Sequence, residues 1–107
     1  MTHSPFALKT GTVLAGSFRL DALLGQGGYG LTYGGQDLKL HRPVAIKEFF
    51  PAGCGREGTT LQASGGWQPS DIENGRTRFL EEGRALARFR HEGIVPVYSA
   101  FEANDTA

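Results

Sequence analysis

The sequence holds one cysteine, one tryptophan and no formal net charge. Cys54 has no partner within the chain, so no intrachain disulfide supports the fold; this suits a reducing compartment and gives the expectation of a cytoplasmic protein. Lys and Arg total 11, as do Asp and Glu. That balance provides no basic footprint for nucleic acid or for an anionic membrane surface, so neither partner is expected. No run of about 18 apolar residues is present, as a membrane-spanning helix would need. The first residues, Met1-Thr2-His3-Ser4-Pro5-Phe6, lack the charged-then-apolar pattern of a secretory signal. A length of 107 residues fits one small domain or part of a larger one. Glycine, by contrast, is plentiful: sixteen residues, gathered near residues 25–35 and again in residues 53–66.

The first cluster contains Leu24-Gly25-Gln26-Gly27-Gly28-Tyr29-Gly30, a G-x-G-x-x-G array. Short runs with strand character flank it, Phe18 to Leu24 before and Leu31-Thr32-Tyr33 after. A glycine-rich tip between two strands lets backbone N–H groups approach a polyphosphate without obstruction by Cβ. The same array occurs in dinucleotide-binding folds, but there a helix must follow the glycines. Here Thr32, Tyr33, Gly34 and Gly35 disfavour a helix. No Gly-Lys-Ser/Thr follows either, which removes the other common phosphate loop. Taken alone, the array is equally compatible with a ligand-free hairpin. Lys47, on the apolar stretch Val44-Ala45-Ile46-Lys47, adds a point charge that could reach the same phosphates.

Along the chain, residues 1–16 read as a flexible leader, broken by Pro5, Gly11 and Gly16. Phe18, Leu20, Ala22 and Leu24 alternate with polar residues and predict a half-buried strand. A second strand is expected from about Gly30 to Gln36, and a third from Val44 to Phe50, with Pro43 at its start. Three strands with short joints make an antiparallel meander. Residues 51–69 are rich in Pro, Gly and Ser and read as a long loop, with Trp67 pinning it to the domain surface. Ser70-Asp71-Ile72-Glu73 fits a capping box, and a helix is predicted from there to about Arg90. Gly75 and Gly83 weaken it by roughly 1 kcal/mol each relative to Ala. Gly93 is placed to terminate it. Residues 94–102 read as another strand, with Pro96 at its start or edge, and residues 103–107 as a turn. The pattern suggests an interrupted fold.

Strand alternation puts Ala45 and Lys47 on one face. A lysine in so apolar a strand calls for a counter-charge if it is buried. Glu73, Glu81 and Glu82 on the predicted helix are candidates. Glu82 borders the stripe of Phe79 and Leu86, whereas Glu81 points about 100° away. Spacing alone leaves two arrangements equally open. Either Glu82 holds Lys47, or Lys47 extends to solvent and Glu82 pairs with Arg78 one turn earlier.

Taken together, these motifs resemble a known family. Leu24-Gly25-x-Gly27-x-Tyr29-Gly30-x-Thr32, Val44-Ala45-Ile46-Lys47, Phe79-x-x-Glu82-x-x-x-Leu86 and His91-x-x-Ile94-Val95 resemble the amino-terminal lobe of a protein kinase. Lys47-Glu48-Phe49-Phe50-Pro51 is closest to bacterial eukaryotic-like serine/threonine kinases. The resemblance covers about residues 17–102. It implies an α+β fold, a twisted antiparallel sheet of four strands with the fifth missing and one helix packed on it, over a partial kinase domain spanning residues 17–107. It further implies ATP as ligand. Gly25, Gln26, Gly27, Gly28, Tyr29 and Gly30 would cover the phosphates, and Leu24, Thr32 and Ala45 would wall the adenine. Lys47 would contact the α- and β-phosphates and Glu82 would hold Lys47. Leu86 and Val97 would belong to a packed column running toward a second lobe.

The departures are specific. Thr32 stands where the family usually has Val, placing a hydroxyl against the adenine. Gly34 and Gly35 replace bulkier strand residues, and Gly83 stands where alanine is commoner. The His-Arg-Asp catalytic loop, the Asp-Phe-Gly metal motif and the hinge strand have no match in the sequence. Mg²⁺ is therefore implied only through ligands outside this stretch, and no metal ligand is assigned within it. The resemblance implies an enzyme that transfers the ATP γ-phosphate to protein Ser/Thr hydroxyls. This chain alone is expected to be inactive, since the base and metal ligands are elsewhere. The alternatives are a free-standing protein-interaction module and a nucleotide-binding module without chemistry.

Overall fold

The computed structural model describes residues 6–88, 99–104 and 106–107. Extended backbone sends successive side chains to opposite faces, and that rule organises the sheet. Four antiparallel strands pair in chain order: β1 (Val13–Leu14), β2 (Phe18–Gln26), β3 (Gly30–Asp37) and β4 (Arg42–Phe49). The residues after Gly30 are thus a strand, which removes the dinucleotide-binding alternative. The turn between β3 and β4 is closed by the Asp37 carboxylate, which accepts the N–H groups of Lys39 and Leu40 at 3.0 and 3.1 Å.

Two features differ from simple alternation. β2 carries register shifts between Leu20 and Ala22 and between Leu23 and Gly25. Each inserts an extra residue opposite β3, so the side-chain phase changes. Leu20 is buried and Leu23 packs against the core, while Ala22 and Leu24 are exposed. The expected single stripe of Phe18, Leu20, Ala22 and Leu24 is therefore split. In addition, β1 falls in the stretch read as a leader. Leu8 is buried there, and its N–H donates to the Tyr33 hydroxyl at 3.1 Å.

The stretch read as a long loop contains a hairpin, β5 (Gly55–Glu57) and β6 (Thr60–Gln62). It supplies Leu61 and, just before it, Cys54 to a core with Leu8, Leu20, Leu31, Tyr33 and Phe50. One face of the sheet is thereby covered. Glu48 and Arg56 fasten the hairpin. Their side chains are only 7% and 5% exposed, and the guanidinium donates to both carboxylate oxygens at 2.8 and 2.9 Å. Arg56 also donates to the carbonyls of Phe6 at 2.7 Å and Thr59 at 2.9 Å, and lies 4.5 Å over the Phe50 ring. The Tyr33 hydroxyl donates to Glu48 at 2.8 Å. Burial, chiefly, pushes the Tyr33 phenol up to about 12, and the adjacent carboxylate reinforces the shift.

The helix α1 (Pro69–Ala87) packs at the far end of β4. It begins one residue before the expected capping box. Pro69 occupies the first turn, where its missing N–H costs nothing, and the Asp71 carboxylate accepts the Gln68 N–H at 3.0 Å. Ile72 and Leu80 are buried, and Phe79 packs against Phe49 with ring centroids 5.9 Å apart. Gly75 allows this approach: a Cβ there would stand 2.5 Å from the Phe49 ring. Its cost to the isolated helix is thus offset by packing. Leu86 is 41% exposed. The helix ends at Ala87, capped by Arg88, short of the expected end at about Arg90. The expected glycine terminator, most of the following strand and Val97 lie within residues 89–98, outside the described residues. Residues 99–102 form no strand. Phe101 stacks on Phe18 at 5.5 Å, and Asn104 and Ala107 accept the N–H groups of Leu61 and Phe49 at 2.9 and 2.8 Å.

The buried ion pair yields a stability prediction. Arg56→Met strands the Glu48 carboxylate and should cost about 3 kcal/mol in urea unfolding, whereas the double change Glu48→Leu/Arg56→Met should cost less than that single one. Costs that simply add would contradict this account of the pair.

Candidate functional site

Strand pairing sorts the candidate residues by face. Thr32 lies opposite Lys47, Gly34 opposite Ala45 and Gly25 opposite Thr32. The Leu24 side chain rests where a Gly34 Cβ would be, with its nearest carbon 3.4 Å away. Leu24, Thr32, Ala45 and Lys47 thus share the face that the β5–β6 hairpin leaves open. Lys47 is exposed. Its apolar neighbours Val44 and Ile46 point to the covered side, so the condition that would force a counter-charge on Lys47, burial, is not met.

The glycine tip is built from two kinds of glycine. Gly27 N–H donates to the Gly30 carbonyl at 2.9 Å and closes the turn. A Cβ at Gly25, Gly27 or Gly28 would meet nothing within 4 Å, so their backbone is accessible to a ligand. At Gly30 a Cβ would stand 2.7 Å from the Glu48 carbonyl oxygen. That glycine serves the close pairing of β3 with β4. Gln26 is exposed, and Tyr29 is 70% exposed at the tip.

Two residues beyond Lys47, alternation returns Phe49 to the side of Lys47, where α1 covers it. Phe49 and Phe79 then line a cleft of about 840 Å³ with Tyr29, Trp67, Arg78 and Glu82. Glu82 is exposed on that wall, one turn beyond Phe79. Among the described residues no salt bridge joins Lys47 to Glu82 or Arg78 to Glu82. Of the two arrangements left open by spacing, the Lys47–Glu82 pair is not formed; Lys47 extends to solvent, as in the second, but without the Arg78–Glu82 pair. No group of three or more His, Cys, Asp or Glu among the described residues could hold a metal ion. No described helix is long and apolar enough to cross a membrane.

The sequence reading missed the part played by Trp67 beside the tip and by Glu48 behind it. Trp67 had a signal, being the one tryptophan in a glycine-rich segment. For Glu48, the signal was its place next to Lys47 on a strand, which puts one charge on each face.

A curled four-stranded antiparallel sheet with one helix packed at its β4 end is the fold of a protein-kinase amino-terminal region. The solved apo form of PpkA-294 matches it with a TM-score of 0.82 and 31% identity, over 94% of this chain and 36% of that one. The DNA damage-responsive serine/threonine-protein kinase RqkA of Deinococcus radiodurans is 40% identical over 93 residues, which is 84% of this chain. The chain is therefore homologous, over most of its length, to bacterial serine/threonine protein kinases. It spans 11% of the length of RqkA. No protein-family model matches the chain.

The two kinds of glycine are separable by experiment. Gly30→Ala should lower stability by about 2 kcal/mol through its clash with the β4 backbone, while Gly27→Ala should stay within about 0.5 kcal/mol of wild type in thermal or urea unfolding. Equal costs at the two positions would contradict the division.

Proposed function

We propose that this chain carries the ATP-binding surface of a serine/threonine protein kinase. The observation that supports it best is the coincidence on one open sheet face of Lys47, Leu24, Thr32 and Ala45, beneath a tip whose glycines present bare backbone. The residues fit a nucleotide. Leu24, Thr32 and Ala45 offer a shallow surface to a flat base. The N–H groups around Gly25, Gln26, Gly27, Gly28 and Tyr29 can meet phosphate oxygens without side-chain obstruction. Lys47 brings a full positive charge to the α- and β-phosphates, and its exposure leaves it free to do so. Glu82 would orient Lys47 once a rearrangement brings the two side chains together, since no salt bridge joins them here.

When bound, Mg²⁺ would neutralise phosphate charge; its ligands, and the base that would accept a proton from a Ser or Thr hydroxyl of a protein substrate, would have to come from outside this stretch. This stretch therefore binds and positions the nucleotide, and transfer needs the remaining catalytic parts. One observation favours a second reading, a nucleotide-binding or protein-interaction module without chemistry: Lys47 and Glu82 form no ion pair.

Calorimetric titration with Mg·ATP tests the proposal. Wild type should bind, and Lys47→Met should bind about tenfold more weakly, the loss of one charged hydrogen bond. Equal affinities would remove Lys47 from phosphate contact.

A further inference from the structure

We propose that Trp67 latches the glycine tip, so that the insert following β4 (residues 51–69, which carries the β5–β6 hairpin) sets how freely the tip moves. A chain of contacts leads from one to the other. The indole N–H of Trp67 donates to the Ala52 carbonyl at 3.2 Å. Ala52 N–H in turn donates to the Gly28 carbonyl at 2.7 Å, and Phe50 N–H to the Tyr29 carbonyl at 2.9 Å. The Tyr29 ring meets the Trp67 ring nearly perpendicular, at 86° and 6.4 Å between centroids. One residue of the insert thus bears on the tip twice, through Ala52 and ring to ring.

The tip needs such an anchor. Gly27 and Gly28 have no side chains to pack, and glycine backbone has the most conformational freedom to recover. A perpendicular aromatic pair and a neutral hydrogen bond are each modest, so a latch built from them opens readily. Both rings also wall the cleft that holds Glu82, so releasing them widens its mouth. The consequence for nucleotide binding rests on the ATP reading of this face. Trp67 acts through Tyr29 and Ala52 and is a positioning residue.

Amide hydrogen exchange on the full chain tests the latch. In Trp67→Ala the Phe50 and Ala52 amides should exchange about tenfold faster, while ladder amides between β3 and β4 keep their rates. Trp67→Phe retains a ring opposite Tyr29 and should fall between. Tyr29→Ala, which leaves the insert untouched, should reproduce the rise. Unchanged rates at Phe50 and Ala52, or a uniform rise across the whole sheet, would overturn the latch. A second arm follows Mg·ATP by calorimetry and by the emission of Trp67, the single tryptophan. Binding heat with an emission change, and a Kd altered about threefold or more in Trp67→Ala, supports coupling of latch to nucleotide. Heat without either response overturns the coupling. No heat in wild type removes the nucleotide reading, and the exchange rates still decide the latch.

Discussion

Lys47 and Glu48 are neighbours in sequence and lie on opposite faces of β4, and the environment of Glu48 decides which face each one takes. Glu48 is out of water, paired with Arg56 and receiving the Tyr33 hydroxyl. Burying two charges is expensive unless their remaining hydrogen-bonding groups find partners. Arg56 meets that condition through Glu48, Phe6, Thr59 and the Phe50 ring. The pair therefore joins β4, the β5–β6 hairpin and the segment before β1 on one side of the sheet. A slip of one residue in β4 would turn Lys47 into that apolar layer and leave Glu48 outside. The open face exists because the other is sealed in this register.

From this constraint the site follows. With one face sealed, Leu24, Thr32, Ala45 and Lys47 are left on the other. The tip at residues 27–30 folds back so that its carbonyls meet residues 50–52, the same stretch that leads into the sealing hairpin. The insert thus touches both faces' business: its hairpin closes the outer side, and its last residues approach the glycine tip. The glycines divide along the same line. Gly30 and Gly35 admit neighbouring backbone, at 2.7 Å from the Glu48 carbonyl and 2.1 Å from the Arg19 carbonyl for an added Cβ, while Gly25, Gly27 and Gly28 face open space.

Much of this was legible in the residues. The meander of β2, β3 and β4 followed from alternation and from Pro43 at the start of its third strand, and the existence of the helix from the capping-box pattern at Ser70 to Glu73. The resemblance to a kinase amino-terminal lobe, drawn from four motifs in order, agrees with the homology found. Other features were hidden for physical reasons. The shifts in β2 change phase within a strand, and nothing local in Leu20-Asp21-Ala22 announces them. Strands as short as Gly55–Glu57 leave too few residues to show a period. The helix starts at Pro69 because proline suits the first turn, a signal that the apparent box at Ser70 and Glu73 obscured. The exposure of Lys47 was left open because its neighbours in sequence are apolar, and only the sheet shows that they face away from it.

On the proposed reading the two faces of the sheet have different tasks, one sealed and the other meeting a nucleotide. Backbone amide chemical-shift mapping of the ¹⁵N-labelled chain during a Mg·ATP titration tests it most directly. The account predicts saturable shifts at Gly25, Gly27, Gly28, Thr32, Ala45 and Lys47, with Cys54, Arg56 and Leu61 unmoved. Shifts centred on the hairpin side, or none at saturating nucleotide, would contradict it.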